Sequence, residues 1–187
     1  AGQSSGSLGK IGCFSAHPLK NLNACGDAGF LTTDDADIAN KVRLLRNHGL
    51  ADRNTVGQFG YVSRMDTLQA AILNYRLSRL NQMIERRRKN AEMYREMIRS
   101  SQVFMPEERE EEFNTYHTFV IQCDLRDELQ NVLLANGVET AIHYPVPIHL
   151  QSAATTLGYS KGDFPVTETQ SKRILTLPIN QYLQEDT

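Results

Sequence analysis

The residues best suited to covalent chemistry lie in residues 13–29, where a hydroxyl, an imidazole and a primary amine stand close together. They are Ser15, His17 and Lys20. A lysine held between two strands loses hydration, and its amine then becomes a better nucleophile toward a carbonyl group. Most lysines near turns are instead solvated surface charges. The segment alone leaves open whether Lys20 is a nucleophile or a surface charge.

A second set of polar side chains lies in the string His143-Tyr144-Pro-Val-Pro-Ile-His149. Two prolines one residue apart exclude a helix and a central strand, so we expect a stiff, extended loop. The spacing of its histidines is poor for a metal ion, and no carboxylate or cysteine lies near them in sequence. We therefore expect no metal site. The alternative to a binding role is a rigid loop whose histidines form local hydrogen bonds.

Arg64 is a further candidate, two residues ahead of Asp66, the predicted N-cap of a helix. Its guanidinium group is a planar fork that matches a carboxylate or a phosphate. A surface arginine or an interface salt bridge explains the same residue equally well.

Two short strands are expected to position Lys20. Residues 11–14 are an apolar run, and residues 30–33 are apolar and β-branched again. The stretch between them is too short and too rich in Gly and Pro for a helix. Lys20 is therefore expected on a tight excursion between a strand and a returning strand.

Two helical stretches follow the lysine segment. Asp34 or Asp35 is expected to cap the first, with Gly49 at its C′ position, and the second covers residues 66–100 with a break near residues 78–82. Their apolar positions include Ile38, Val42 and Leu45 in the first, and Leu73, Leu77, Leu80 and Ile84 in the second.

The remaining elements alternate between strands and helices, as in a small α/β layer. In order they are a strand at 115–123, a helix at 125–133 closed by Asn136 and Gly137, a strand at 138–142, a helix at 167–172 and a strand at 175–177.

Composition excludes several classes of protein. The chain has 187 residues, of which 40% are hydrophobic and 22% charged, as in a globular protein. A net charge of −2 gives no electrostatic basis for binding nucleic acid or an anionic membrane. We recognise no signal peptide and no apolar run of the roughly 20 residues that span a bilayer. Three scattered cysteines predict no disulfide framework, so we expect a cytoplasmic protein.

The lysine segment resembles that of the DegT/StrS-type sugar aminotransferases, which are enzymes of the aspartate-aminotransferase fold (fold type I) that use pyridoxal 5′-phosphate (PLP). The shared string reads Phe-Ser15-x-His17-Pro-x-Lys20-Asn-Leu, followed by Gly26-Asp-x-Gly29. The resemblance implies that Lys20 forms the Schiff base with PLP and that Ser15 hydrogen-bonds the phosphate of the cofactor.

The resemblance extends over essentially the whole chain, as the second half of such an enzyme. It implies an α/β fold in which residues 1–85 are the C-terminal part of the PLP-binding large domain. Residues 86–187 would be a small C-terminal α/β domain, incomplete at its end. It also implies a homodimer with a shared active site.

The motifs are closest to enzymes of lipopolysaccharide biosynthesis that act on UDP-linked 3-keto sugars with a C6 carboxylate. In those relatives, residues matching Arg64, His143 and Tyr144 hold that carboxylate. The resemblance implies amino transfer from glutamate to a nucleotide-linked keto-sugar, with Lys20 moving the proton. His149 is a weaker candidate than these three residues.

Val62 departs from the family pattern, which usually has an asparagine that reaches the cofactor phosphate of the partner subunit. Valine cannot donate a hydrogen bond. An alternative interpretation is therefore an inactive, truncated member that serves as a folded binding or dimerisation module. A third, a PLP enzyme that dehydrates its substrate, is disfavoured because the lysine is retained.

Overall fold

The computed structural model describes residues 2–183, and the chain divides into two compact units between Met83 and Ile84. The assignment of residues 1–85 and 86–187 to the domains of a larger enzyme stays a prediction. In residues 2–183 no helix is long and apolar enough to cross a membrane.

A β-hairpin carries the Lys20 segment in the first unit. Strand β1 (Gly12–Ser15) pairs antiparallel with β2 (Gly29–Thr32), in a register that places Phe14 opposite Phe30. The two rings stack with their centroids 4.9 Å apart. The pairing confirms the predicted strand and returning strand.

Helix α1 (Ala36–Leu45) begins at one of the two predicted caps. The Asp35 carboxylate accepts the backbone N–H groups of Asp37 and Ile38 at 2.9 and 3.1 Å. These are two of the N–H groups that a helix leaves without partners at its first turn. The prediction of a cap at this point is confirmed for Asp35.

The end of α1 differs from the prediction. The helix stops at Leu45 with Arg46 as its C-cap, so Gly49 lies beyond the C′ position. Gly49 has a φ of +73°, and a Cβ there would lie 1.6 Å from the carbonyl oxygen of Gln58. Glycine is thus required by the close approach of a later loop, which the local sequence does not show.

The long helical stretch is confirmed, with its break where it was expected. Helices α2 (Thr67–Leu77) and α3 (Leu80–Met97) are separated by two residues. In the predicted apolar stripe, Leu73 and Ile84 are buried, but Leu77 is 55% exposed. The stripe therefore turns away from the core near the break.

The second unit is built on a two-stranded sheet. Strand β3 (Phe119–Gln122) pairs antiparallel with β4 (Ile174–Leu177), and helices α4 (Arg126–Ala135) and α5 (Pro165–Arg173) precede β4 in sequence. The buried core around the sheet consists of Ala91, Tyr116, Phe119, Ile121, Leu175 and Leu177.

The prediction of a strand at residues 138–142 was wrong. Only Ala141 pairs with β4, through reciprocal hydrogen bonds with Thr176. The segment is short because Gly137 turns the chain with a φ of +81° and Pro145 follows soon after. A single bridge replaces the expected ladder.

Side chains of helix α3 form hydrogen bonds to the backbone of the segment that follows β4. Arg87 donates to the carbonyl oxygens of Tyr116 and Ile179 at 2.9 and 3.1 Å, and Asn90 donates to that of Asn180 at 2.7 Å. The Arg87 guanidinium is buried, and this burial lowers its pKa. The hydrogen bonds to carbonyl groups are what make its burial tolerable.

Hydrogen bonds of the Glu108 carboxylate connect the acidic residues 107–112 to the same helix. Glu108 accepts from the Arg88 guanidinium at 2.7 Å, from the Asn114 N–H at 2.6 Å and from the Tyr116 hydroxyl at 3.0 Å. Burial works against ionisation of Glu108, but these hydrogen bonds outweigh it, and the pKa of the carboxyl is lowered. Glu108 therefore anchors residues 107–112 to α3.

Candidate functional site

The loop that carries Lys20 closes on two buried alanines. The N–H of Ala16 donates to the carbonyl oxygen of Ala28 at 2.8 Å, and the N–H of Ala24 donates to that of Ala16 at 2.9 Å. Ala16 and Ala24 are almost completely buried. Residues 17–23 therefore leave and rejoin the hairpin at one narrow neck, and we call them the Lys20 loop.

Turn geometry orders the interior of the Lys20 loop. The N–H of Lys20 donates to the carbonyl oxygen of His17 at 2.8 Å, and the Asn23 amide donates to that of Pro18. The Oγ of Ser15 accepts the N–H of His17 at 3.3 Å, as Ser commonly does at a turn. Lys20 is half-buried, and Ser15 is exposed just before the loop.

Helix α2 holds this neck through three side chains, of which only Leu73 was expected to be buried. Leu73 packs with Ala16 and Ala24, and the Gln69 side chain accepts the N–H of Cys25 at 2.8 Å. Arg76 supplies the third contact. Its Nη1 donates to the Asn23 backbone oxygen at 2.8 Å and to the Asn23 Oδ1 at 2.5 Å.

The spacing of these three α2 residues indicates that they lie on the same face of the helix. Positions 69, 73 and 76 lie at i, i+4 and i+7, so they share one face of the helix. The pattern indicated a buried face, but nothing in the sequence said that the Lys20 loop covers it. The role of Gln69, Leu73 and Arg76 in positioning the Lys20 loop is therefore visible only in the structure.

Arg64 lies in the first unit on a segment joined to the end of α1. The N–H of Ser63 donates to the carbonyl oxygen of Arg46 at 2.9 Å, and Val62 forms an isolated bridge with Asn47. The Arg64 guanidinium is exposed, 3.5 Å from the Oδ1 of Asn47. It is therefore accessible to an anion from solvent.

His143 and Tyr144 lie in the second unit. The Nδ1 of His143 is 2.9 Å from the Thr176 Oγ1, and the exposed Tyr144 ring lies edge-on to the imidazole. The Nε2 of His149 is 3.0 Å from the Glu168 Oε1. Both histidines are hydrogen-bonded, as the rigid-loop alternative expected, but their partners are distant in sequence.

The structure thus shows which candidate site residues lie close together within each of the two units. Lys20 and Ser15 belong to one hairpin, and His143 and Tyr144 are neighbours in the other unit. A common pocket of Arg64, His143 and Tyr144 stays a prediction. No group of three or more metal-ligating side chains occurs among the residues that the structure describes.

The hydroxyl and amine donors fit the group that the lysine motif implies. Ser15 accepts a hydrogen bond through its Oγ, which leaves its own hydroxyl hydrogen to donate to a phosphate. Lys20 supplies a primary amine on a loop held in one shape. The donor set is therefore compatible with PLP.

Comparisons with known proteins agree with these motifs. The sequence model of the DegT/DnrJ/EryC1/StrS aminotransferase family matches residues 1–187. The chain is 37% identical to the "Pleiotropic regulatory protein" of Geobacillus stearothermophilus, over 99% of this chain and 50% of the relative. It is 38% identical to the UDP-N-acetyl-3-dehydro-alpha-D-glucosamine 3-aminotransferase of Acidithiobacillus ferrooxidans, with coverages of 99% and 50%.

The fold also matches that of a solved structure. The crystal structure of S. venezuelae DesV matches with a TM-score of 0.93 and 33% identity, over 99% of this chain and 50% of DesV. The chain therefore spans about half the length of the relatives that it matches. With the family match covering residues 1–187, the chain belongs to the DegT/DnrJ/EryC1/StrS aminotransferase family.

Proposed function

We propose that this chain is the lysine-bearing half of a PLP-dependent aminotransferase. The complete enzyme transfers an amino group from glutamate to a nucleotide-linked keto-sugar for polysaccharide or lipopolysaccharide biosynthesis. It works in the cytoplasm as a homodimer whose subunits share the active site. The observation that carries the proposal is the Lys20 loop, because its neck and the Arg76 contacts hold a half-buried primary amine on a loop of defined shape.

Lys20 and Ser15 are the residues of this chain that would hold the cofactor. Lys20 would hold its aldehyde through the primary amine, and the Ser15 hydroxyl would donate a hydrogen bond to its phosphate. When bound, PLP supplies an electron sink for the carbon next to the transferred nitrogen. The Lys20 amine would act as the general acid and base that moves a proton during amino transfer.

The substrate is proposed to be a UDP-linked 3-keto sugar. The name of the Acidithiobacillus relative supports a UDP-linked sugar that is aminated at carbon 3. Arg64, with its exposed planar fork, and the donors of His143 and Tyr144 would recognise a C6 carboxylate of a uronic sugar. A uronic sugar is the form of the substrate that these three residue types favour.

The proposal is tested by labelling Lys20. The chain is incubated with PLP, reduced with borohydride and mapped by peptide mass spectrometry. We expect a near-visible absorption band and a phosphopyridoxyl group on Lys20, both absent in Lys20→Ala. Lys41→Ala, which removes an exposed lysine of α1, should keep both. Label spread over surface lysines, or none on Lys20, refutes the proposal.

The second candidate function is a catalytically inactive binding or dimerisation module. One observation favours it, since Val62 is exposed where the family usually has a hydrogen-bonding asparagine. An unlabelled Lys20 in a chain that is dimeric by light scattering would support the module. For the complete enzyme, product analysis with a keto-sugar and glutamate separates amino transfer from dehydration.

A further inference from the structure

The segment His143–His149 is anchored at both ends, because each of its two histidines forms a hydrogen bond to another element. His143 is bonded to the Oγ1 of Thr176 on β4, and His149 is bonded to Glu168 on α5. Between these two points Tyr144 is 72% exposed and Ile148 is 84% exposed. The span therefore presents Tyr144 and Ile148 to solvent, while its ends are fixed to separate elements.

Glu168 holds the His149 end of the string through several hydrogen bonds. Its Oε1 accepts from the N–H of Gly162 at 2.7 Å, from the N–H of Phe164 at 3.4 Å and lies 3.0 Å from the Nε2 of His149. The side chains of His149 and Glu168 are only 8% and 12% exposed. The His149 ring also packs on Phe164, with the centroids 4.7 Å apart. One carboxylate thus accepts hydrogen bonds from two stretches of chain, residues 162–164 and His149.

The chemistry of this pair fixes which nitrogen of His149 carries a hydrogen. The N–H of Gly162 lowers the pKa of the Glu168 carboxyl, burial opposes this, and the bond to His149 lowers it further. The carboxyl is therefore ionised at neutral pH and can only accept hydrogen bonds. Nε2 of His149 must be the donor, so in the neutral imidazole Nδ1 is the nitrogen without a hydrogen.

We infer that His149 and Glu168 are positioning residues, which fix the conformation of residues 143–149 and thereby the direction of Tyr144. The relevance of this direction to substrate rests on the role of Tyr144 in the proposed function. The Nε2 of His149 already donates to Glu168, so we assign His149 a role through the conformation of the loop.

The test compares Glu168→Gln with Glu111→Gln, which removes the same charge from an exposed position. The reporters are the Leu150 and Gln151 amides, which donate to the carbonyl oxygens of Pro147 and Ile148. We expect their hydrogen exchange to accelerate about tenfold in Glu168→Gln, the effect of one lost charge-assisted hydrogen bond. Exchange of the Gln122 amide, which bonds to Phe104, should be unchanged.

Equal acceleration at Gln122 would show global destabilisation and overturn the inference, as would an unchanged Leu150 amide. Long-range ¹H–¹⁵N spectra of the unmodified chain give a measurement that does not depend on the folding of a variant. Neutral His149 should be protonated at Nε2, and a hydrogen on Nδ1 overturns the inference. None of these readouts needs PLP. A missing label on Lys20 would refute the proposed function without altering the conformational result.

Discussion

Replacing Arg76 by methionine should loosen the Lys20 loop without unfolding the hairpin. Methionine keeps the aliphatic bulk of arginine but donates no hydrogen bond. Two short hydrogen bonds to Asn23, at 2.8 and 2.5 Å, would be lost. Bonds from a charged donor contribute about 1.5–3 kcal/mol each when shielded. Arg76 is only half-buried, and we take about 2 kcal/mol for the pair.

A loss of this size has a direct consequence for amide exchange. Since each 1.4 kcal/mol is a factor of ten, about 2 kcal/mol corresponds to a roughly 30-fold rise in the population of the open loop. The amides to follow are those of Ala24 and Lys20, which donate to Ala16 and His17. Both should lose about 30-fold in protection in Arg76→Met, measured by hydrogen exchange with NMR detection.

Arg79→Met is the matched control. The Arg79 guanidinium lies 4.6 Å from the centre of the Tyr75 ring and is exposed. Losing this contact should leave the Ala24 amide within about fivefold of the unmodified chain, because exposed cation–π pairs contribute only about 0.5–1 kcal/mol. If the Ala24 amide keeps its protection in Arg76→Met, or loses as much in Arg79→Met, Arg76 does not hold the neck.

Three further predictions concern the second unit. Leu175→Ala, at a fully buried position, should lower its free energy of unfolding in urea by about 2–5 kcal/mol, whereas Leu134→Ala on an exposed site should change it by less than about 0.5 kcal/mol. Arg87→Met should cost about 2–3 kcal/mol in the same assay because it orphans buried carbonyl groups, and an unchanged midpoint contradicts this account. The lowered pKa of Glu108 means that its contribution to stability is present above the ordinary carboxyl range and is lost as pH falls through the lowered value. Urea midpoints from pH 7 to pH 3 should therefore fall less steeply in Glu108→Gln, and identical slopes would refute that assignment.

Local patterns predicted the elements that local physics decides. The cap at Asp35 and the break between α2 and α3 are set by residues close in sequence, and both are confirmed. The strand expected at residues 138–142 failed because a strand exists only where a neighbour pairs with it, and Ala141 alone meets β4. The prediction that Leu77 is part of the buried stripe failed for a related reason. Periodicity indicates which face of a helix is apolar, but it does not indicate where the core ends.

The site shows the same division between local and distant causes. The Lys20 motif is contiguous, so the residues that could bind a cofactor were visible in the sequence. Arg76 was not, because its partner Asn23 lies 53 positions away. The histidines of the proline-rich string were expected to find local partners, but Thr176 and Glu168 lie 33 and 19 positions downstream. Such pairings follow from tertiary structure, and a single sequence contains no record of them.

The contacts that shape the Lys20 loop are separate from the residues proposed to recognise the substrate. The neck residues Ala16 and Ala24 and the α2 side chains that hold them all lie within the first unit. The contacts named here that shape the loop around the amine are therefore made by residues of the first unit. Substrate recognition is different, because it is proposed to combine Arg64 with residues of the second unit. A chain that turns over no keto-sugar would thus leave the assignment of Lys20 intact, whereas a chain that PLP and borohydride fail to label at Lys20 would refute it.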